Sequence, residues 1–152
     1  DISIPSEGEI LQSLSLSHFD ISLEGLIDGS NTEIGERGVN LSGGQRQRLN
    51  LARAHYFKRP VILMDDCLSA VDVNVEKQII SSMLLGAWKD KTRILVTHRL
   101  SILNQADRIL FMENGTIAES GTWPELQKSS KRFREFIRTA QTETPHPEEA
   151  IT

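Results

Sequence analysis

Leu41-Ser42-Gly43-Gly44-Gln45-Arg46-Gln47-Arg48 is the stretch around which the rest of the chain is arranged. Ser42 is a favourable helix N-cap. From Gln45 to Lys58 helix formers dominate, with Leu49, Ala52 and Tyr56 on one face, so the segment reads as a loop turning into a helix. Two glycines in a first helical turn cost about 1 kcal/mol each relative to alanine. Accepting that cost points to something that must approach the backbone closely. A helix N-terminus, with unsatisfied N–H groups and the positive end of the helix dipole, is a ready site for phosphate. An ordinary Ser-Gly-Gly turn explains these three residues as well, so the downstream sequence has to decide.

The 152 residues suit one domain or subdomain, and 38% hydrophobic with 25% charged residues is ordinary for a globular chain. A net charge of −4 argues against a nucleic-acid partner, which calls for a basic face. Cys67 is the one cysteine, so no disulfide forms within the chain. No apolar run has the length of a membrane span, and no signal peptide is visible. The chain does not begin with Met and is expected to be a piece of something larger.

Ile10, Leu11 and Leu14 recur at helical spacing and predict a short helix from about Ser6, although the Leu14-Ser15-Leu16 alternation reads against it. Asp28-Gly29-Ser30-Asn31 and Gly35-Glu36-Arg37-Gly38 are turn signals. The helix over 42–58 stops before Pro60. Val61-Ile62-Leu63-Met64 is apolar without alternation and ends in Asp65-Asp66, the pattern of a strand buried on both faces of a parallel sheet. A helix over Val75–Leu85 buries Ile79, Ile80, Met83 and Leu84, and a second buried strand, Arg93–Thr97, ends at His98.

A short helix follows at Leu100–Asn104. Ile109–Met112 and Thr116–Glu119 then flank Asn114-Gly115, the strongest short hairpin signal. Thr122 with Glu125 forms a capping box for the next helix, and Phe133, Phe136 and Ile137 define the last one. Residues 141–152 are acidic and poor in apolar groups, as in a disordered tail or linker. The order strand, helix, strand, hairpin gives an α/β chain with a mixed sheet.

Ligands of open α/β sheets bind at the carboxyl ends of strands, where this chain places Asp65, Asp66 and His98. Side chains alternate along a strand, so the two carboxylates should point different ways, one toward a metal through water. Taken singly, paired acids more often cap a helix, and a lone histidine is more often structural. Cys67, Trp88 and Trp123 read as packing residues. His18, His55 and His146 lack ligand spacing, so no zinc or iron site is expected.

The combination is far more specific than its parts: Leu-Ser-Gly-Gly-Gln opening a helix, an apolar strand ending in Asp65, Ser69-Ala70-Val71-Asp72 directly after, and a histidine ending the next strand. Over nearly its whole length the chain resembles the nucleotide-binding domain of ATP-binding cassette (ABC) transporters, a P-loop NTPase-type fold of which it would be the C-terminal part. Leu41–Gln45 matches the signature motif, Val61–Asp66 the Walker B strand, Ser69–Asp72 the D-loop and His98 the switch histidine. The wording of 65–72 and 93–98 is most similar to the first nucleotide-binding domain of the multidrug-resistance-associated (C) subfamily. On this resemblance 1–59 is a helical-subdomain remnant with the signature helix, 60–140 runs from Walker B to the C-terminal helix, and 141–152 is the tail.

The resemblance implies that Ser42, Gly43, Gly44 and Gln45 contact the γ-phosphate and ribose of an ATP held mainly by a second nucleotide-binding domain. Asp65 would hold Mg²⁺ through water, and His98 would reach the γ-phosphate. Ser69 and Asp72 would cross the dimer interface and report the state of one site to the other. The implied function is the ATPase motor of a membrane transporter, working at the cytoplasmic face beside transmembrane domains. An ATP-gated regulatory half with little hydrolysis is the alternative. A chromosome-maintenance or repair ATPase shares the motifs but fits the acidic charge and the Asn-Gly hairpin less well.

The sequence departs from the family at two points. Nothing matches the phosphate loop G-x-x-x-x-G-K-[ST], so this chain alone is expected to be inactive and to carry half of each of two composite sites. Asp66 stands where the family usually places a glutamate that polarises the attacking water. Its carboxylate is about 1 Å short, a displacement that costs on the order of 10²-fold in rate.

Overall fold

The computed structural model describes residues 6–21, 25–26, 28–35 and 40–142, arranged as two compact units, Asp1–Thr97 and His98–Thr152. The loop signal at Gly35–Gly38 lies mostly outside the described residues, as does the tail beyond Thr142.

In the first unit α1 (Glu7–Leu16) starts on Ser6, whose hydroxyl accepts from the Glu9 N–H. It packs on α2 (Gly43–Tyr56) around Leu14, Phe19, Leu26, Leu41 and Ala52, with Ile10, Ile21 and Leu49 at the margin. α2 ends where Lys58 takes a left-handed φ of 51°, two residues ahead of Pro60. Leu51 on this helix is more deeply buried than Leu49 or Tyr56, the residues its periodicity singles out.

β1 (Val61–Asp65) and β2 (Thr92–Val96) form a parallel pair with Val61 opposite Thr92 and Asp65 opposite Val96. The helix between them begins two residues before the expected Val75, because the Asp72 carboxylate caps α3 (Val73–Ile79) by accepting from the N–H groups of Asn74 and Val75. From Ile80 to Ala87 the helix widens to π geometry, visible in the bond from the Trp88 N–H back to the Met83 carbonyl five residues earlier. Ile79, Ile80, Met83 and Leu84 form its buried stripe, as their spacing predicts.

Neither strand is buried on both faces. Ile62 and Met64 are covered, but Leu63 is 74% exposed and Val61, Ile94 and Val96 on the same face are about as open. The run of apolar residues records what each strand could bury, while cover for one face only is present among the described residues.

The second unit holds α4 (Leu100–Leu103), the antiparallel hairpin β3 (Ile109–Glu113) and β4 (Thr116–Gly121), α5 (Trp123–Ser129) and α6 (Lys131–Thr142). Asn114 and Gly115 both have positive φ, 50° and 77°, as the two-residue turn requires. At the start of α5 the Glu125 carboxylate accepts from the Thr122 N–H at 2.8 Å, closing the expected capping box, and Pro124 needs no donor there. Ile109, Leu126, Phe133 and Ile137 are the core, with Trp123, Phe111 and Phe136 packed around Phe133. The chain is thus α/β, and among the described residues the expected mixed sheet is seen as a parallel pair in the first unit and an antiparallel pair in the second.

Trp88 is fully buried and donates its indole N–H to Nδ1 of His55 on α2 at 3.0 Å, with the two rings stacked. That nitrogen must carry no proton, so the fold selects the neutral imidazole. Burial, and then Lys91 and Lys58, lower the His55 pKa. A depressed histidine pKa stabilises the fold fully above the unfolded value and loses that contribution as pH falls through the folded value. The unfolding temperature should therefore drop between about pH 7.5 and 5.5, bracketing the ordinary histidine value. His55→Asn keeps an acceptor but cannot titrate, and in thermal melts its drop should be visibly shallower.

Candidate functional site

The first unit brings the start of α2 against the end of β1 and the loop that follows it. Ser42 caps α2 twice over: its hydroxyl accepts from the Gln45 N–H at 3.2 Å, and the Gln45 side-chain oxygen accepts from the Ser42 N–H at 2.6 Å. This capping box holds two expected phosphate-contacting side chains in place. A serine hydroxyl that accepts one bond still has its proton to donate. Of the first-turn N–H groups, that of Gln45 is taken by this cap, while those of Gly43 and Gly44 precede the first carbonyl that the helical ladder could offer them.

The glycines have a nearer explanation than a ligand. A Cβ on Gly44 would lie 2.7 Å from the Ala70 carbonyl oxygen, and one on Gly43 would lie 3.2 Å from the Ala70 Cβ. What approaches the backbone here is the chain's own loop. At Gly44 the close contact is backbone, so packing by itself already requires a residue without a side chain there.

Gln47, one turn further along α2, was not singled out by any motif. Its Nε2 donates to the Asp66 carbonyl at 3.1 Å and to the Ser69 hydroxyl at 2.9 Å, while its Oε1 accepts from the Ala70 N–H at 2.9 Å. It lies one helical turn past Gly43 on the same side of α2, but nothing in the sequence says what it meets there.

Asp65 closes β1 on the exposed face that carries Val61 and Leu63. Asp66 breaks the alternation: it is half-buried with φ at 45°, a left-handed conformation that aspartate adopts more readily than most residues. Its N–H donates to the Val96 carbonyl at 2.9 Å, and its carbonyl accepts from Gln47 and from the Ser69 N–H and hydroxyl. Ser69 is therefore engaged within the loop and Asp72 at the cap of α3. Directly after Asp66, burial pushes the Cys67 thiol up to about 11, which leaves it protonated and unreactive. His98 belongs to the second unit and is exposed.

No group of three or more acidic, histidine or cysteine side chains that could enclose a metal occurs among the described residues. Asp65 nonetheless suits Mg²⁺: an exposed carboxylate at a strand end is a hard ligand, and this ion keeps most of its waters and takes only one or two carboxylates.

A family model described as "ABC transporter" matches residues 9–69. The ABC-type transporter cicA of Emericella nidulans is 46% identical over 122 residues, covering 80% of this chain and 9% of that protein. The multidrug resistance protein fer6 of Mycosarcoma maydis is 49% identical over 118 residues, 77% of this chain and 9% of that one. The human ATP-binding cassette sub-family C member 2 is 46% identical over 130 residues, 84% of this chain and 8% of its own length. The chain thus spans less than a tenth of these relatives. A bacterial Atm1-family ABC exporter, solved with ATP bound, superposes with a TM-score of 0.80 at 31% identity, covering 93% of this chain and 24% of that one.

Gly44→Ala should destabilise the fold by about 1–3 kcal/mol despite the better helix propensity of alanine, because backbone must move to admit the methyl. Gly43→Ala meets only a methyl group and should cost clearly less. Urea unfolding of the two variants checks the order; equal stabilities would mean that the Ala70 contact yields without cost.

Proposed function

The chain belongs to the nucleotide-binding domains of ABC transporters, in their C subfamily, and from that premise we propose that it supplies half of each of two composite ATP sites in a transport motor. The observation that carries this reading is the locking together, in one unit, of a glycine-opened helix start and a strand end bearing two carboxylates.

In this reading Ser42, Gly43, Gly44 and Gln45 face the γ-phosphate and ribose of an ATP bound mainly by a second nucleotide-binding domain. The capping box presets the Ser42 hydroxyl, and the first-turn N–H groups and helix dipole add to the attraction for the phosphate. Asp65 holds Mg²⁺ through water, and His98 reaches toward the γ-phosphate. Ser69 and Asp72 face the partner domain. Such a site works by positioning and by stabilising charge on the transferring phosphoryl group. The work of such a motor is delivered to transmembrane domains at the cytoplasmic face, a reading supported by the transporter relatives; no helix among the described residues is long and apolar enough to cross a membrane.

The ATP-gated, slowly hydrolysing alternative gains support from Asp66. Its short carboxylate is the candidate base, and its left-handed backbone suits aspartate better than the longer glutamate. The transporter relatives weigh against a chromosome-maintenance role.

Calorimetric titration of this chain with Mg-ATP should show no binding up to about 1 mM, an affinity limit near −4 kcal/mol. Micromolar binding would mean a phosphate cradle inside these 152 residues and would overturn the half-site reading. In the parent protein Asp66→Glu should raise ATP turnover at this site, by up to about 10²-fold if reach is the limit. Unchanged turnover there would sink the slow-site proposal.

A further inference from the structure

We propose that Gln47 is a positioning residue that fixes Asp66 and ties the start of α2 to the loop after β1, so that the two move as one body. Its carboxamide makes three bonds to three loop residues: the carbonyl of Asp66, the hydroxyl of Ser69 and the N–H of Ala70. The amide fits in one orientation only. Turned over, its oxygen would face the Asp66 carbonyl and its N–H groups the Ala70 donor.

The bond to the Asp66 carbonyl matters most. Asp66 sits at φ 45°, where a non-glycine residue stays only if its surroundings hold it. The peptide before it is held through the Asp66 N–H by Val96 of β2, and the peptide after it through the Asp66 carbonyl by Gln47 and Ser69. The Gly44–Ala70 approach sets how near α2 lies to the loop, but steric contact does not set the rotation of a peptide plane. The hydrogen bonds of Gln47, Ser69 and Val96 together do. They aim the Cα–Cβ bond of Asp66, and with it the carboxylate.

Resting on the reading above, the start of α2 serves one composite site while Asp65, Asp66 and Ser69 serve the other. Gln47 is then the rigid intrachain link between the two sites, and a shift of α2 on meeting phosphate is passed directly to the Asp66 carboxylate.

Gln47→Met has a similar length and removes all three bonds; Gln47→Glu keeps an acceptor for Ala70 but sets a carboxylate oxygen against the Asp66 carbonyl. In this chain, amide hydrogen exchange at Ala70 should speed up about tenfold or more in Gln47→Met and stay slow in Gln47→Glu, as loss of one hydrogen bond implies. The Trp88 amide, bonded elsewhere, should not change in either. In the parent protein both variants should lower kcat about tenfold with KM for ATP within about twofold, the mark of an interaction that acts in the chemical step.

Unaltered Ala70 exchange in Gln47→Met would overturn the tie, whatever the protein does with ATP. Faster exchange with native kcat in both variants would overturn the positioning role. A native parent that fails to turn over ATP would instead defeat the functional reading, and the exchange measurement would still decide the tie.

Discussion

The first unit depends on a close passage of backbone against backbone: the carbonyl of Ala70 lies where any side chain at position 44 would have to be. Because Gly44 leaves that space, α2 can bring its start against the loop after β1, and Gln47 comes within reach of three groups on that loop. Separate these segments and Asp66 loses one of the bonds that support its left-handed backbone, while Ser69 loses the donor on its hydroxyl. The two glycines, costly to a helix taken alone, are what permit the contact. Local propensity gives way to tertiary packing here, as is common where a fold carries a functional site.

Much of this was legible in the sequence because it rests on local rules. Ser42 with Gln45 and Thr122 with Glu125 read directly as helix starts, and both boxes have their glutamine or glutamate oxygen on the cap N–H. Asn114-Gly115 specified a hairpin with two left-handed residues, since few other pairs take that turn without strain. The buried stripe of α3 and its continuation followed from spacing even though the second half has π geometry, because Ile79, Ile80, Met83 and Leu84 stay on one side through the change of pitch.

What escaped was mainly non-local. Gln47 carries no motif significance by its position alone, and its role appears only when a loop some twenty residues later folds back onto it. Asp72 was missed although its cap is local: its carboxylate accepts from the N–H groups of Asn74 and Val75, two and three residues on. The His55–Trp88 pair joins residues 33 apart, and no spacing rule connects them. Burial misled for a different reason. Composition shows what a strand can bury, but whether both faces find a partner depends on the layers around it.

The open side of the parallel pair has a bearing on how this chain behaves in a test tube. Val61, Leu63, Ile94 and Val96 present a contiguous apolar surface to water, and a net charge of −4 spread over 152 residues gives only modest electrostatic repulsion between molecules. Two copies that meet on these faces remove hydrocarbon from solvent without any specific geometry. A face of this kind favours contact between copies as protein concentration and salt rise, so dilute, low-salt buffer is the condition expected to oppose it.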